Sequence, residues 1–98
     1  MEMTHAIAAF GALAQDTRLA AFRRLVHAGP DGLAAGDLAR ALAVPPPTLS
    51  FHLRQLLGAG LVTVRRDGRS WIYQPDFERV EGVLAWLMEN CCSDGGCS

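Results

Sequence analysis

The residues of this chain with the clearest chemical potential are its thiols. The only cysteines are Cys91, Cys92 and Cys97, gathered in the stretch Cys91-Cys92-Ser93-Asp94-Gly95-Gly96-Cys97. An odd number confined to one short stretch cannot form an internally paired disulfide framework of the secreted kind. Thiolates are soft donors that select soft ions, and As(III) takes three sulfurs in a pyramid whose fourth corner is its lone pair. Three thiols match that number. Zn²⁺ normally takes four ligands, so it would draw on His5, a second subunit or water to complete its shell. Consecutive Cα atoms lie about 3.8 Å apart, below the usual disulfide range, which suits Cys91 and Cys92 to sharing a ligand rather than oxidising together. Gly95-Gly96 lets the chain fold Cys97 back over the pair at small entropic cost. The competing readings are a tail with incidental thiols and a redox sensor that signals by forming a disulfide.

The second constellation is basic. Residues 18–69 hold eight Arg against Asp31, Asp37 and Asp67, whereas the flanking segments are net acidic, and the chain as a whole carries a formal charge of −1. A basic centre between acidic ends points to an anionic partner docking on the middle of the chain. Every cation is Arg, with no Lys, which suits bidentate contacts to phosphate and guanine.

These groups need a frame, and the chain is long enough for one. Ninety-eight residues, half of them hydrophobic and 19% charged, make a single packed domain rather than a disordered chain or a two-domain cleft. The longest apolar run, Ala6 to Ala14, falls well short of a membrane span, and no Lys or Arg precedes it, so the expectation is a cytoplasmic protein with no membrane partner.

The hydrophobic period predicts a first helix capped by Thr4, with Ile7, Phe10, Leu13 and Ala14 on one face, running to Gln15. Asp16 is expected to cap a second helix with the stripe Leu19, Phe22, Leu25 and Val26, ended by Gly29-Pro30. From Leu33 the helical pattern resumes with Leu38, Ala39 and Leu42 up to Val44. Pro45-Pro46-Pro47 then joins it tightly to a fourth helix, because Pro in a first turn costs no hydrogen bond. That helix buries Leu49, Leu53, Leu56 and Leu57 and stops at Gly58-Ala59-Gly60. After Gly60 the period becomes alternating. Leu61 to Arg65 and Ser70 to Gln74 read as strands about an Asp67-Gly68 turn, with Val64 facing Trp71 and Val62 facing Tyr73. A last helix over residues 76–90 carries Phe77, Val80, Val83, Leu84, Trp86, Leu87 and Met88 over an arc of roughly 200°, about twice what one core requires. The surplus, with the apolar first helix, predicts a homodimer through Ile7, Phe10, Val80, Val83, Leu84 and Leu87.

The fold class is therefore mainly α with a small β-hairpin. Helix, tight turn, helix and an arginine-tipped hairpin is the order of a winged helix-turn-helix, whose second helix enters the DNA major groove. Opposite its leucines the fourth helix presents Thr48, Ser50, Phe51, Arg54 and Gln55, types that read base edges and phosphates. Phe51 could meet a thymine methyl or pack locally. His52 follows Leu49 by three, which leaves it either a base contact or a half-buried core histidine. Arg65, Arg66 and Arg69 crowd the hairpin tip. His5, His27 and His52 offer no metal-ligand spacing. A thiol enzyme is disfavoured, because a nucleophilic Cys wants a helix N-terminus or a nearby cation, whereas Cys91 and Cys92 follow a helix C-terminus beside Glu89 and Asp94, and no phosphate loop, Ser/His/Asp set or nucleotide fingerprint is present.

Pro46-Pro47-Thr48-Leu49-Ser50-Phe51-His52-Leu53, then Leu57-Gly58-Ala59-Gly60-Leu61-Val62 and Arg65-Arg66-Asp67-Gly68-Arg69, resemble the ArsR/SmtB family of metal-responsive repressors. Gln15-Asp16-Thr17-Arg18-Leu19 looks like that family's second-helix opening, and the resemblance covers roughly residues 5 to 88. It implies a homodimeric winged-helix repressor that leaves double-stranded operator DNA when an effector binds. Many arsenic- and metal-sensing members place Cys on the third helix, but Gly32-Leu33-Ala34-Ala35-Gly36-Asp37-Leu38 has none. Zinc-sensing members use Asp and His on the last helix, and no His lies between Asp76 and Asn90. Cys91, Cys92 and Cys97 resemble instead a branch of arsenic-responsive members with adjacent cysteines after the last helix. The expectation is thus a domain over residues 1–90 for DNA binding and dimerisation and an effector-binding tail over 91–98. As(III) is the expected inducer, with Sb(III) or methylarsenite as variants and no organic cofactor. The alternative is a redox-sensing or Cd/Zn-responsive repressor of the same fold.

Overall fold

The structure is a computed structural model that describes residues 1–95. Helix α1 (Met3–Leu13) turns Ala6, Ala9 and Ala12 inward; their small side chains let its backbone lie close to the rest of the domain. The alanines set the core face, which leaves Ile7 and Phe10 on the side expected of interface residues. Both point outward, and Thr4 sits inside the first turn rather than at the cap, which is Glu2 without a side-chain bond.

Helix α2 (Asp16–Ala28) is capped one residue earlier than expected. The Gln15 side chain accepts from the Arg18 N–H at 2.8 Å, while Asp16 takes the first helical position, where its charge suits the positive end of the helix dipole. Its buried face is Ala21, Phe22 and Leu25, and the expected stripe members Leu19 and Val26 are exposed. Gly29, at φ 91°, ends the helix by donating to the Leu25 and Val26 carbonyls.

A strand that the helical pattern did not anticipate follows. β1 (Leu33–Ala34) pairs antiparallel with Tyr73 and Ile72, so the sheet has three strands. Gly32 makes this approach possible: at φ 74° its Cα faces the Tyr73 carbonyl, and a Cβ there would stand 2.1 Å from that oxygen. Gly32→Ala is accordingly expected to cost about 2–4 kcal/mol, from steric overlap plus left-handed strain. For a domain of this size that lowers the thermal midpoint by about 10–25 °C in a circular-dichroism melt. A shift of only a degree or two would mean that β1 detaches freely.

Helix α3 (Ala35–Leu42) ends at a left-handed Ala43, and helix α4 (Pro46–Gly58) begins immediately after Pro45, as the tight-junction reading expects. Leu49, Leu53 and Leu56 are buried and Leu57 half-buried. The hairpin is β2 (Val62–Asp67) and β3 (Ser70–Pro75), with β3 central in the order β1-β3-β2. Its turn is Gly68-Arg69, not Asp67-Gly68. Gly68 at φ 60° fills the first turn position, so Asp67 pairs with Ser70, Arg66 with Trp71, Val64 with Tyr73 and Val62 with Pro75. The shift is by two residues, so the faces of the ribbon are as expected although the partners are not.

Helix α5 (Phe77–Leu87) is capped by the Asp76 carboxylate, which accepts from the Arg79 N–H at 3.0 Å. It stops short of the expected residue 90, giving way to turns. The fully buried Leu25, Leu38, Leu49, Leu53, Leu56 and Leu61 form the centre of the core, with Phe22, Val62 and Val83 around them, and no polar side chain is buried among the described residues. Within those residues no helix is long and apolar enough to cross a membrane. The architecture is a winged helix-turn-helix, mainly α.

Val83 was expected at a homodimer interface and is instead 2% exposed in the protomer's own core, with Val80 half-buried against it. The period alone cannot separate the inner from the outer half of an apolar arc this wide. Ile7 (62%), Phe10 (40%), Leu84 (54%) and Leu87 (56%) are exposed, on two helices that touch each other.

Candidate nucleic-acid interface

The leucines of α4 fix its orientation. With Leu49, Leu53 and Leu56 locked into the core, the 100° step per residue leaves Thr48, Ser50, Phe51, Arg54 and Gln55 exposed on the reverse face. That face offers hydroxyl, guanidinium and amide groups, the set that bonds to base edges and phosphate oxygens.

His52 lies at the border, half-buried. Its Nδ1 is 3.3 Å from Arg18 Nη1, while Arg18 Nε donates to the Ala12 carbonyl at 2.7 Å. Because guanidinium can only donate, Nδ1 accepts and the ring proton is left on Nε2. One side chain of α2 thus ties α1 to α4. Phe51 meets the His52 ring edge-on at 5.3 Å, which accounts for its partial cover. Arg18 was visible in the sequence only as part of the Gln15-to-Leu19 motif; its long-range bonds carry no local signature.

The wing arginines differ from one another. Arg65 lies 3.8 Å from the Asp67 carboxylate and donates to the Asp31 carbonyl at 3.5 Å. Arg66 donates from Nε to the Gly68 carbonyl at 2.9 Å and rests over the Trp71 ring, 4.6 Å from its centroid. Arg69 lines a cavity of about 390 Å³ between the wing and the start of α3, shared with Trp71, Asp37 and Arg40. Asp37 and Arg40 form an exposed ion pair with each other. Neither Arg40 nor Trp71 was marked by sequence reasoning as a site residue; Trp71 stood out there only as a strand residue.

Beyond α5 the chain makes successive tight turns, with Asn90 and Cys92 in left-handed conformations at φ 58° and 67°. These turns bring Cys91 Sγ and Cys92 Sγ to 3.1 Å. Two sulfurs bound to one ion at about 2.3 Å each can be no more than about 4.6 Å apart, so the pair can share one soft ion. Cys97 lies outside the described residues. Among the described residues no three His, Cys, Asp or Glu side chains converge as a metal site.

Residues 13–65, which span α2, β1, α3, α4 and most of β2, match the helix-turn-helix domain family. A solved structure described as a possible transcriptional regulator for arsenical resistance is 35% identical, superposes with a TM-score of 0.62, and is matched over 79% of this chain and 77% of its own. The chain belongs to the ArsR/SmtB family. An ArsR-like transcriptional regulator from Rhodococcus sp. RHA1 superposes with a TM-score of 0.78 at 25% identity, over 93% of this chain and 82% of that one. The HTH-type transcriptional regulator Rv2034 of Mycobacterium tuberculosis is 48% identical over 68 residues, which is 69% of this chain. The match spans 61% of the length of Rv2034. Each of these relatives is described as a transcriptional regulator.

Proposed function

We propose that this ArsR/SmtB member is a homodimeric, cytoplasmic DNA-binding repressor that leaves its operator when trivalent arsenic binds the thiolates of Cys91, Cys92 and Cys97. The observation that carries the DNA reading is the exposed face of α4, with Thr48, Ser50, Arg54 and Gln55 set opposite three buried leucines. In this reading residues 1–90 bind DNA and dimerise, and residues 91–98 take the effector. The inducer reading is supported by the 3.1 Å sulfur pair and by the likeness to a regulator described for arsenical resistance. Sb(III) and methylarsenite are soft ligands of the same kind.

The exposure of Cys91 favours one further reading, a repressor released by oxidation of the same thiols. Titrating the reduced protein on an operator fragment with As(III), Sb(III), Cd²⁺ and Zn²⁺, and separately with peroxide, separates the two. Arsenite release from reduced protein is the expected result; release by peroxide alone would replace the inducer reading with the redox one.

The base-reading role has its own measurement. Ser50→Ala and Gln55→Ala are each expected to relax preference at particular base pairs by about 1–3 kcal/mol while leaving binding to mixed-sequence duplex nearly unchanged. Equal losses on specific and mixed sequence would move both residues from bases to phosphates.

A further inference from the structure

Arg65, Arg66 and Arg69 are interchangeable in the sequence and distinct in the structure. Alternation along β2 puts Arg65 with Thr63 on one face and Arg66 with Val62 and Val64 on the other. The Val62 face is the core face: Val62 is buried, and Tyr73 on the same side packs on the core to which α4 contributes. Arg66 therefore projects from the side of the wing that carries α4, just past the edge of the core. Arg65 projects from the reverse side, where Asp67 and the Asp31 carbonyl engage it.

Trp71 is Arg66's partner across the ladder and is half exposed, with its ring 4.6 Å from the guanidinium carbon. The stack covers one face of the guanidinium, and the Gly68 carbonyl takes its Nε–H. The Nη groups form no hydrogen bond among the described residues. A guanidinium held this way has less rotamer freedom left to lose when it meets a phosphate.

We infer that Trp71 is a positioning residue for DNA binding: its ring holds Arg66 outward on the α4 side of the wing, aimed at the backbone of a duplex seated on α4. The inference rests on the DNA-binding reading proposed above and adds a residue that neither the wing charge nor the α4 face contains.

The test is fluorescence anisotropy of a labelled mixed-sequence duplex across a series of salt concentrations, with the variants Arg66→Ala, Trp71→Ala, Trp71→Leu, Trp71→Phe and Arg66→Ala/Trp71→Ala. Arg66→Ala is expected to lower the slope of log affinity against log salt by about 1, as one lost phosphate contact does. Trp71→Ala is expected to weaken binding by about 2- to 5-fold, the range of an exposed cation–π contact. The double variant should bind no more weakly than Arg66→Ala alone, because the ring acts through the guanidinium. Trp71→Phe should recover most of the affinity and Trp71→Leu, which keeps apolar bulk without a π face, should not. Melting curves check that each variant is folded, and the Leu and Phe pair carries the comparison if the alanine variant is not.

Full additivity in the double variant, or equal affinities for the Phe and Leu variants, would overturn the inference while leaving DNA binding intact. A parent protein that binds no duplex at any salt would instead overturn the DNA reading, and the inference with it.

Discussion

Leu84→Glu is expected to sediment as a monomer and to bind a duplex containing two half-sites at least about 100-fold more weakly than the parent. Leu84 and Leu87 are more than half exposed on α5, and Ile7 and Phe10 stand exposed on α1 beside it. A continuous apolar face of this kind on a small domain calls for a partner surface, and an interface built from one face of each copy closes as a two-fold dimer. A carboxylate placed in that interface would have to be buried without a counter-charge, which costs several kcal/mol. The DNA effect follows from linkage: two half-sites held on one dimer bind with an effective concentration that raises affinity by about 10²–10⁴ over a single site. Because Leu84 lies outside the core, the protomer itself should retain its helical circular dichroism. A Leu84→Glu protein that sediments as an intact dimer and binds like the parent would place the interface elsewhere.

The second large effect is at the thiols. Reduced Cys91→Ser/Cys92→Ser protein is expected to bind its operator as the parent does and to ignore arsenite, which should release the parent by about 5- to 150-fold, a coupling of about 1–3 kcal/mol. The pair sits on the turns directly after α5, so an ion that draws the sulfurs together acts on the end of the helix whose outer face is assigned to the dimer. Cys97→Ser should blunt the arsenite response and leave part of the response to methylarsenite, which needs only two sulfurs. Arsenite release of the Cys91→Ser/Cys92→Ser variant from an operator fragment, followed by the same titration, would remove the cluster from the mechanism.

How far the sequence carries depends on the range of the interaction. The α4 stripe was legible because Leu49, Leu53, Leu56 and Leu57 repeat with a helical period and Pro45 and Gly58 mark its ends, so the exposed face followed directly. The hairpin was legible as a hairpin, but its register was not. Both Asp67-Gly68 and Gly68-Arg69 can make a two-residue turn, and only cross-strand packing selects between them. β1 was missed because two residues are too few to show a period, and its cause, the Gly32 approach to Tyr73, joins positions 41 residues apart. The same holds at the candidate site. Arg18 to His52 and Arg66 to Trp71 are contacts of the fold, and no spacing along the chain announces them.

The junction between α3 and α4 has a mechanical consequence. Pro45, Pro46 and Pro47 hold three successive φ angles near the proline value, the last two inside the first turn of α4, and Ala43 is fixed left-handed on the other side. Such a joint keeps few soft torsions beyond those of Val44, so α3 and α4 are expected to turn together more as one lever than as two hinged arms. A displacement of α3 should therefore carry α4 and its exposed face with it.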